Sequence, residues 1–330
     1  MSAPLLSVEN LTVEFGPRAA GLRAVDEVSF SIPAGASLGI VGESGSGKSM
    51  TSLSILRLLP EPPGRIAGGR IIFDGTDLLA LPRDRMPEIR GRDIAMIFQE
   101  PMSSINPVMT IGAQIEEAIF LHQPMTRPER RARAIELLGL VGVPQPQERI
   151  DAYPHQFSGG MRQRVMIAMA VACNPRLLIA DEPTTALDVT IQAQVLALIK
   201  DIRKRLGTTI LLISHDLGVV ADVCERVVVM YAGRVVEDGD VRAIFRRPAH
   251  PYTQALLQSI PRLEESHRRL KTIAGTVPPP GAQRAGCAFH SRCTVRLDRC
   301  ARERPPHRRV GEGHGAACWL VPDDTAGAAP

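Results

Sequence analysis

One run of residues, Gly42-Glu43-Ser44-Gly45-Ser46-Gly47-Lys48-Ser49, has the types and spacing of a phosphate-binding loop, G-x-x-x-x-G-K-[ST]. Its glycines let the backbone curl so that successive N–H groups converge on an anion. Lys48 supplies a cation for β- and γ-phosphates, and the Ser49 hydroxyl suits Mg²⁺. Farther along, Ser158-Gly159-Gly160 opens a helix with a good N-cap and bare N–H groups, a second potential phosphate site. Two carboxylates, Asp181 and Glu182, end the apolar run that begins at Leu177, the end of a strand where open α/β sheets bind ligands. Asp181 suits a Mg²⁺-holding role, directly or through water, and Glu182 a general base that polarises the attacking water. The apolar residues before them and Pro183 after them argue against a pair of ordinary surface acids. Gln99 and His215 also stand at the tips of apolar strands. Gln99 alone is a weak signal, since most such glutamines are merely solvated; His215, beside other strand-end polar groups, reads as functional.

Cysteine is the other residue type with chemistry. Of six cysteines, Cys173 and Cys224 sit in apolar stretches and read as core. Cys287, Cys293, Cys300 and Cys318 cluster with the spacing Cys-x5-Cys-x6-Cys-x17-Cys. Without an export signal, clustered thiols point to a metal rather than to disulfides. The two-residue knuckles of zinc ribbons are missing, so zinc, an iron–sulfur cluster and free thiols all remain open. The same tail carries Arg284, Arg292, Arg296, Arg299, Arg302, Arg304, Arg308 and Arg309, which read as a solvated face or one near anionic lipid or nucleic acid.

Positioning these groups takes an alternation of strands and helices. Leu6, Val8, Leu11, Val13 and Phe15 mark a first strand, with Phe15 either core or a stacking surface for a base. Val25 to Ile32 is a second strand; Ser37 to Val41 leads into the glycine-rich loop, and Ser52 to Leu59 leads out as a helix stopped by Pro60. Gly68 to Gly75 is a strand ending in an Asp-Gly turn, and Asp93 to Phe98 another. From Pro101 to Pro154 the pattern turns helical and amphipathic, broken by prolines, as a subdomain inserted in the larger one. Helix from about Thr190 to Arg205, strand from Thr209 to Ile213 and a hairpin about Ala232-Gly233 follow. A helix opening at His250-Pro251 runs out near Pro261, and a polar linker with Glu264, Glu265, Arg268 and Arg269 leads to Pro278-Pro279-Pro280 and marks a domain boundary.

The whole has 330 residues, 44% of them hydrophobic and 22% charged, as expected of a globular protein of about two domains. With aromatics at 4%, the core must be aliphatic. A net charge of +4 does not by itself call for nucleic acid. No apolar run is long enough for a transmembrane helix, and Met1 to Asn10, carrying Glu9, does not read as a secretory signal.

In this order the motifs resemble those of the ATP-binding cassette (ABC) ATPases: a Walker A loop at Gly42 to Ser49, Gln99, the signature Ser158-Gly159-Gly160, a Walker B strand from Leu177 to Asp181 with Glu182, Ala186-Leu187-Asp188 and His215. Phe98-Gln99-Glu100-Pro101-Met102-Ser103-Ser104-Ile105-Asn106-Pro107, Tyr153 to Met161, His250-Pro251-Tyr252-Thr253 and Gly286 to Cys293 look like the dipeptide/oligopeptide importer group, to which nickel importers are also close. Met161, where many cassettes have Gln, is shared with that group. The resemblance implies an α/β fold: a P-loop ATPase core with an N-terminal antiparallel β subdomain, an inserted helical subdomain at about 101–172, the whole spanning 1–262, and a small Cys-rich C-terminal domain at 263–330. It implies ATP and Mg²⁺, with Phe15, Gly42, Ser44, Gly45, Gly47, Lys48 and Ser49 on the nucleotide, and Ser49, Gln99 and Asp181 at the metal. Glu182, His215 and Gln99 would be catalytic, and Ser158, Gly159, Gly160 and Asp188 would complete a site shared with a partner cassette. A [4Fe–4S] cluster on Cys287, Cys293, Cys300 and Cys318 is favoured over zinc. The implied partners are a second ABC ATPase subunit, two transmembrane permease subunits and an extracytoplasmic solute-binding protein, with no specific nucleic acid, at the cytoplasmic face of the cell membrane. A cassette ATPase acting on nucleic acid or ribosomes is the alternative class; such chains often carry two cassettes, and this one has one.

Overall fold

Strand β1 (Leu6–Phe15) shows how a change of hydrophobic phase is written into structure. Leu6 and Val8 are buried on one parity, Leu11 and Val13 on the other, and the register against the neighbouring strands shifts between them. Asn10, with a φ of 48°, sits in the bulge that absorbs the extra residue. The computed structural model describes residues 3–16, 22–99, 104–185, 187–260, 273–279 and 285–322. Residues 100–103, Ala186, the charged linker from 261 to 272 with the proposed boundary at 262/263, Pro280 and Arg284 lie outside the described residues.

The chain divides into two compact units. The first comprises residues 1–32, 37–79 and 213–330. In it β1 pairs antiparallel with β2 (Leu22–Ile32) and with the strand that follows the first helix. Strand β3 (Ser37–Val41), buried throughout, feeds the glycine-rich loop, and helix α1 (Lys48–Ile55) follows it. The helix begins before the predicted Ser52 because Gly47 is its N-cap, so Lys48 and Ser49 form its first turn. It also ends before Leu59, as Arg57 turns to a φ of 51°. Next come β4 (Gly64–Phe73) and, after the predicted Asp74-Gly75 turn, β5 (Thr76–Asp77), giving a four-stranded antiparallel sheet in the order β2-β1-β4-β5.

The second unit comprises residues 33–36 and 80–212. Its β6 (Ile94–Ile97) and β7 (Leu177–Asp181) are parallel neighbours, and every residue of β7 is buried, as its unbroken apolar run requires. Between them lie the predicted helices: α2 (Ile111–His122), α3 (Arg127–Leu140), α4 (Pro146–Arg149) and α5 (Gly159–Ala170). Ile111, Ile115 and Ile119 of α2 and Leu137 and Leu138 of α3 are fully buried, the faces their spacing marks. The Thr126 main-chain N–H donates to Glu129 at 2.7 Å in a capping box that starts α3. Helix α6 (Val189–Leu206) follows β7 and stops at Gly207, whose φ is 67°. The fully buried β8 (Thr209–Ser214) contributes residues 209–212 to this unit and its last two to the first.

Back in the first unit, α7 (Leu217–Val223) precedes the hairpin of β9 (Arg226–Tyr231) and β10 (Arg234–Asp240), turned at Ala232-Gly233 as expected, with φ of 47° and 83°. Strand β3 pairs in parallel with β9, placing Ile40 opposite Val228. Helices α8 (Val241–Arg246) and α9 (Pro251–Ser259) follow. The cysteine-rich segment does not stand apart by contact: its β11 (Arg308–Gly311) and β12 (His314–Ala316) extend the sheet edge, with Ala316 opposite Glu237 of β10.

Candidate functional site

In the first unit the glycine-rich loop is shaped by close approaches. A Cβ on Gly42 would stand 2.2 Å from the Met230 carbonyl oxygen, and one on Gly47, at a φ of 96°, 2.6 Å from that of Ala24. Among the described residues nothing lies within 4 Å of where a Cβ on Gly45 would be, so the loop is open there. Lys48 is 5% exposed, and its Nζ donates to the Gly42 carbonyl at 2.7 Å and the Glu43 carbonyl at 3.1 Å. The loop thus folds over its own lysine. The Ser46 hydroxyl is buried with no hydrogen-bond partner among the described residues, an uncompensated polar atom inside the loop. An open cradle, a buried cation and the N–H groups of the first turn of α1 together fit a phosphate chain. Phe15 is half-buried at the end of β1, its ring against Gly64; His215 is exposed just past β8.

In the second unit the structure brings Gln99 and Glu182 together. Glu182 follows β7 with a φ of 46°, a conformation costly for a residue with a side chain and typical of functional sites. Its Oε2 accepts from the Gln99 Nε2 at 3.2 Å and from the Thr185 hydroxyl at 2.9 Å. Two donors on one oxygen orient the carboxylate. Asp181, the last residue of β7, is 4% exposed. Helix α5 starts at an exposed Ser158, whose hydroxyl accepts from the Met161 N–H at 3.4 Å, with Gly159 also exposed. Gly160 lies close to Ile191, where a Cβ would come within 2.9 Å of its Cγ2. Asp188 is the N-cap of α6, accepting from Ile191 N–H at 2.9 Å. Two participants escaped the sequence reading. Thr185 is one; buried Gln163 is the other, its Nε2 donating to the Pro183 carbonyl at 2.7 Å and tying α5 to the turn that carries Glu182. No sequence signal marks Gln163, because the helix is apolar on all sides from Val165 onward and its period names no inner face.

In the C-terminal segment Cys287, Cys293, Cys300 and Cys318 line one small cavity with Trp319 and His290. Burial pushes the Cys287 thiol up to about 11, and the charges of the other three cysteines add to the shift; burial raises Cys293 and Cys318 as well. Converging thiols of this kind need positive charge to ionise, which is the donor chemistry of a soft metal. Their arrangement does not assemble a ligand shell: among the described residues no group of three or more His, Cys, Asp or Glu side chains is placed to hold a metal ion. Nor, among those residues, is any helix long and apolar enough to cross a membrane. Arg292 departs from the expected solvated arginine face, with a side chain only 5% exposed.

Comparison with known proteins agrees with the order of these motifs. The family described as ABC transporter matches residues 25–185, and that described as oligopeptide/dipeptide transporter, C-terminal region, matches residues 236–300. The chain is 52% identical to a probable peptide ABC transporter ATP-binding protein, y4tR, of Sinorhizobium fredii, over 96% of this chain and 94% of that one. It is 49% identical to the dipeptide transport ATP-binding protein DppD of Escherichia coli, over 97% of this chain and 98% of that one. Among solved structures, the dimeric post-hydrolysis state of the ATP-binding cassette MJ0796 bound to ADP and Pi matches with a TM-score of 0.64 at 29% identity, covering 72% of this chain and 99% of that one.

Proposed function

Since the chain belongs to the ATP-binding subunits of the dipeptide/oligopeptide ABC transporters, we propose that it binds and hydrolyses ATP to power the import of peptides. The observation that carries the hydrolytic part is Glu182 at the end of buried β7, its carboxylate held by Gln99 and Thr185. Lys48 and the loop amides hold the β- and γ-phosphates, with Gly42, Ser44, Gly45 and Gly47 giving the backbone its approach, and Phe15 stacks on the base. Ser49, Gln99 and Asp181 hold Mg²⁺, directly or through water; bound there, the ion neutralises phosphate charge. Glu182 takes the proton of the attacking water and His215 contacts the γ-phosphate. Positioning and charge neutralisation account for most of the rate in such a reaction. Ser158, Gly159, Gly160 and Asp188 serve a site shared with a second cassette. Two permease subunits, an extracytoplasmic solute-binding protein and a place at the cytoplasmic face of the membrane complete the reading. Peptides are preferred to nickel or another small solute because both curated relatives are named for peptides.

Glu182→Gln keeps the hydrogen-bonded shape and removes the base. MgATP affinity should stay within about twofold of wild type, while ATPase turnover of the assembled transporter falls about 100-fold or more. Turnover near wild type would overturn the assignment.

The four-cysteine cavity is read as the site of a [4Fe–4S] cluster, with zinc as the alternative; what supports it is that Cys287, Cys293, Cys300 and Cys318 line one cavity, although among the described residues no three of them are placed to hold a metal ion. Iron and acid-labile sulfide in anaerobically purified protein are the expected result. Colourless protein with stoichiometric zinc would replace the cluster, and metal-free protein would remove both.

A further inference from the structure

We propose that Arg292, within the cysteine-rich segment, is a positioning residue for the phosphate-binding loop: it neutralises and anchors Glu43, so that the C-terminal segment sets the loop's affinity for ATP. The inference rests on the loop being the ATP site.

Glu43 is the second residue of the loop and is held at several points. Its carbonyl accepts from the Lys48 Nζ at 3.1 Å, and its N–H donates to the Tyr252 hydroxyl at 2.9 Å. Its carboxylate accepts from the Arg292 Nη1 at 3.0 and 3.1 Å. Arg292 is fixed in turn. Its Nε donates to the Ala274 carbonyl at 2.9 Å, its Nη2 to that of Ile273 at 3.2 Å, and its Nη1 also to the Tyr231 hydroxyl at 3.2 Å. The guanidinium lies 5.7 Å from the Tyr231 ring centroid and 6.0 Å from that of Phe289. Tyr231, Tyr252 and Phe289 pack on one another, with centroids 4.7 to 5.4 Å apart. A guanidinium so held, 5% exposed, cannot swing away as a surface arginine would.

The electrostatic consequence has a definite sign. A loop that gathers N–H groups and Lys48 around an anion is a poor place for a carboxylate, because Glu43 opposes the phosphates that the loop attracts. Arg292 cancels that charge from within the fold. Removing Arg292 alone leaves a half-buried, uncompensated carboxylate on the loop; removing both charges leaves none. A staple that only fastened the C-terminal segment would behave otherwise, since loss of either partner or of both would loosen the loop alike.

The test is equilibrium binding of a fluorescent ATP analogue with Mg²⁺ to the full-length chain carrying R292M, R292K, E43Q or both R292M and E43Q. R292M should weaken binding about tenfold, of the order expected for one unscreened charge near a phosphate. E43Q should stay within about threefold of wild type, and the double variant should recover most of the loss. R292K, which keeps the charge, should bind within about threefold of wild type and serves where R292M fails to fold. A double variant as weak as R292M, or R292K weakened about tenfold, would overturn the inference. Failure of the wild-type chain to bind would instead overturn the ATP reading beneath it.

Discussion

A buried histidine held without charge makes one residue's contribution to stability depend on pH. His250 is 1% exposed, and its Nδ1 accepts from the Tyr252 N–H at 3.1 Å as the N-cap of α9. Burial drives its pKa down to about 3 from the usual 6.5. Against it lies Glu237, fully buried, whose two oxygens accept from the Ala249 N–H at 2.7 Å and the His250 N–H at 2.8 Å and which also meets the His314 Nε2 at 2.8 Å. In the unfolded chain the imidazole binds a proton as pH falls below about 6.5, whereas in the folded chain it resists protonation until about 3. Its neutral form is therefore no liability above pH 6.5, and stability falls as pH drops from there towards 3, by up to about 1.4 kcal/mol per pH unit. Melting temperatures of the full chain between pH 7 and 4 should fall more steeply in wild type than in His250→Asn, which keeps a capping oxygen and does not titrate. Equal slopes would assign the acid sensitivity to another group. The sequence marks His250-Pro251-Tyr252-Thr253 as a family feature, but nothing along the hairpin marks Glu237 as the buried acceptor that explains it.

At the scale of elements, the Glu182 turn is as stiff as its ties to α5. Gln163, 2% exposed, bonds the Pro183 carbonyl and so ties the helix that begins at Ser158 to the turn that carries Glu182, the proposed base. Gln163→Leu keeps the volume and leaves that carbonyl unpaired. It should cost about 1–3 kcal/mol in stability and lower ATPase turnover about tenfold through a misplaced Glu182, while MgATP affinity stays within about twofold. Denaturant unfolding and steady-state kinetics separate the two effects, and unchanged turnover would show the tie to be merely structural. How far such elements could be read in advance follows from the range of the forces. The strand tips of β6 and β7 were legible because unbroken apolar runs ending in Gln99 and Asp181-Glu182 are local signals. The first strand reads in sequence as one alternating run, so neither its change of phase nor the bulge behind it was legible there. The hydrogen bond from Gln99 to Glu182 spans 83 residues, and the pair from Arg292 to Glu43 spans 249. No periodicity reports either, so Arg292 read as one solvated arginine among eight.

For the molecule as a whole, the decisive fact is an imbalance. The chain has one phosphate loop, folded over its own Lys48, and an exposed Ser-Gly helix start at Ser158 and Gly159. The N–H groups at such a start can take a phosphate brought by another molecule, and the proposed pairing with a second cassette brings one. Binding and hydrolysis then separate by subunit. On that proposed reading, the chain's own loop takes up MgATP by itself, whereas turnover at the partner's loop draws on this chain's Ser158. Ser158→Arg puts a bulky side chain at an exposed position where it disturbs no core, costing at most the N-cap contribution of about 1 kcal/mol. The isolated variant should bind MgATP within about twofold of wild type. In the assembled transporter, hydrolysis at the site completed by this chain should fall about 100-fold, as when a donor to a developing phosphate charge is lost. If the partner's site is the only hydrolytic one, total ATPase activity falls about 100-fold with it; if both turn over equally, about half remains. Full activity with Ser158→Arg would mean that the signature helix touches no nucleotide, and the shared-site reading would fall while ATP binding by the loop stood.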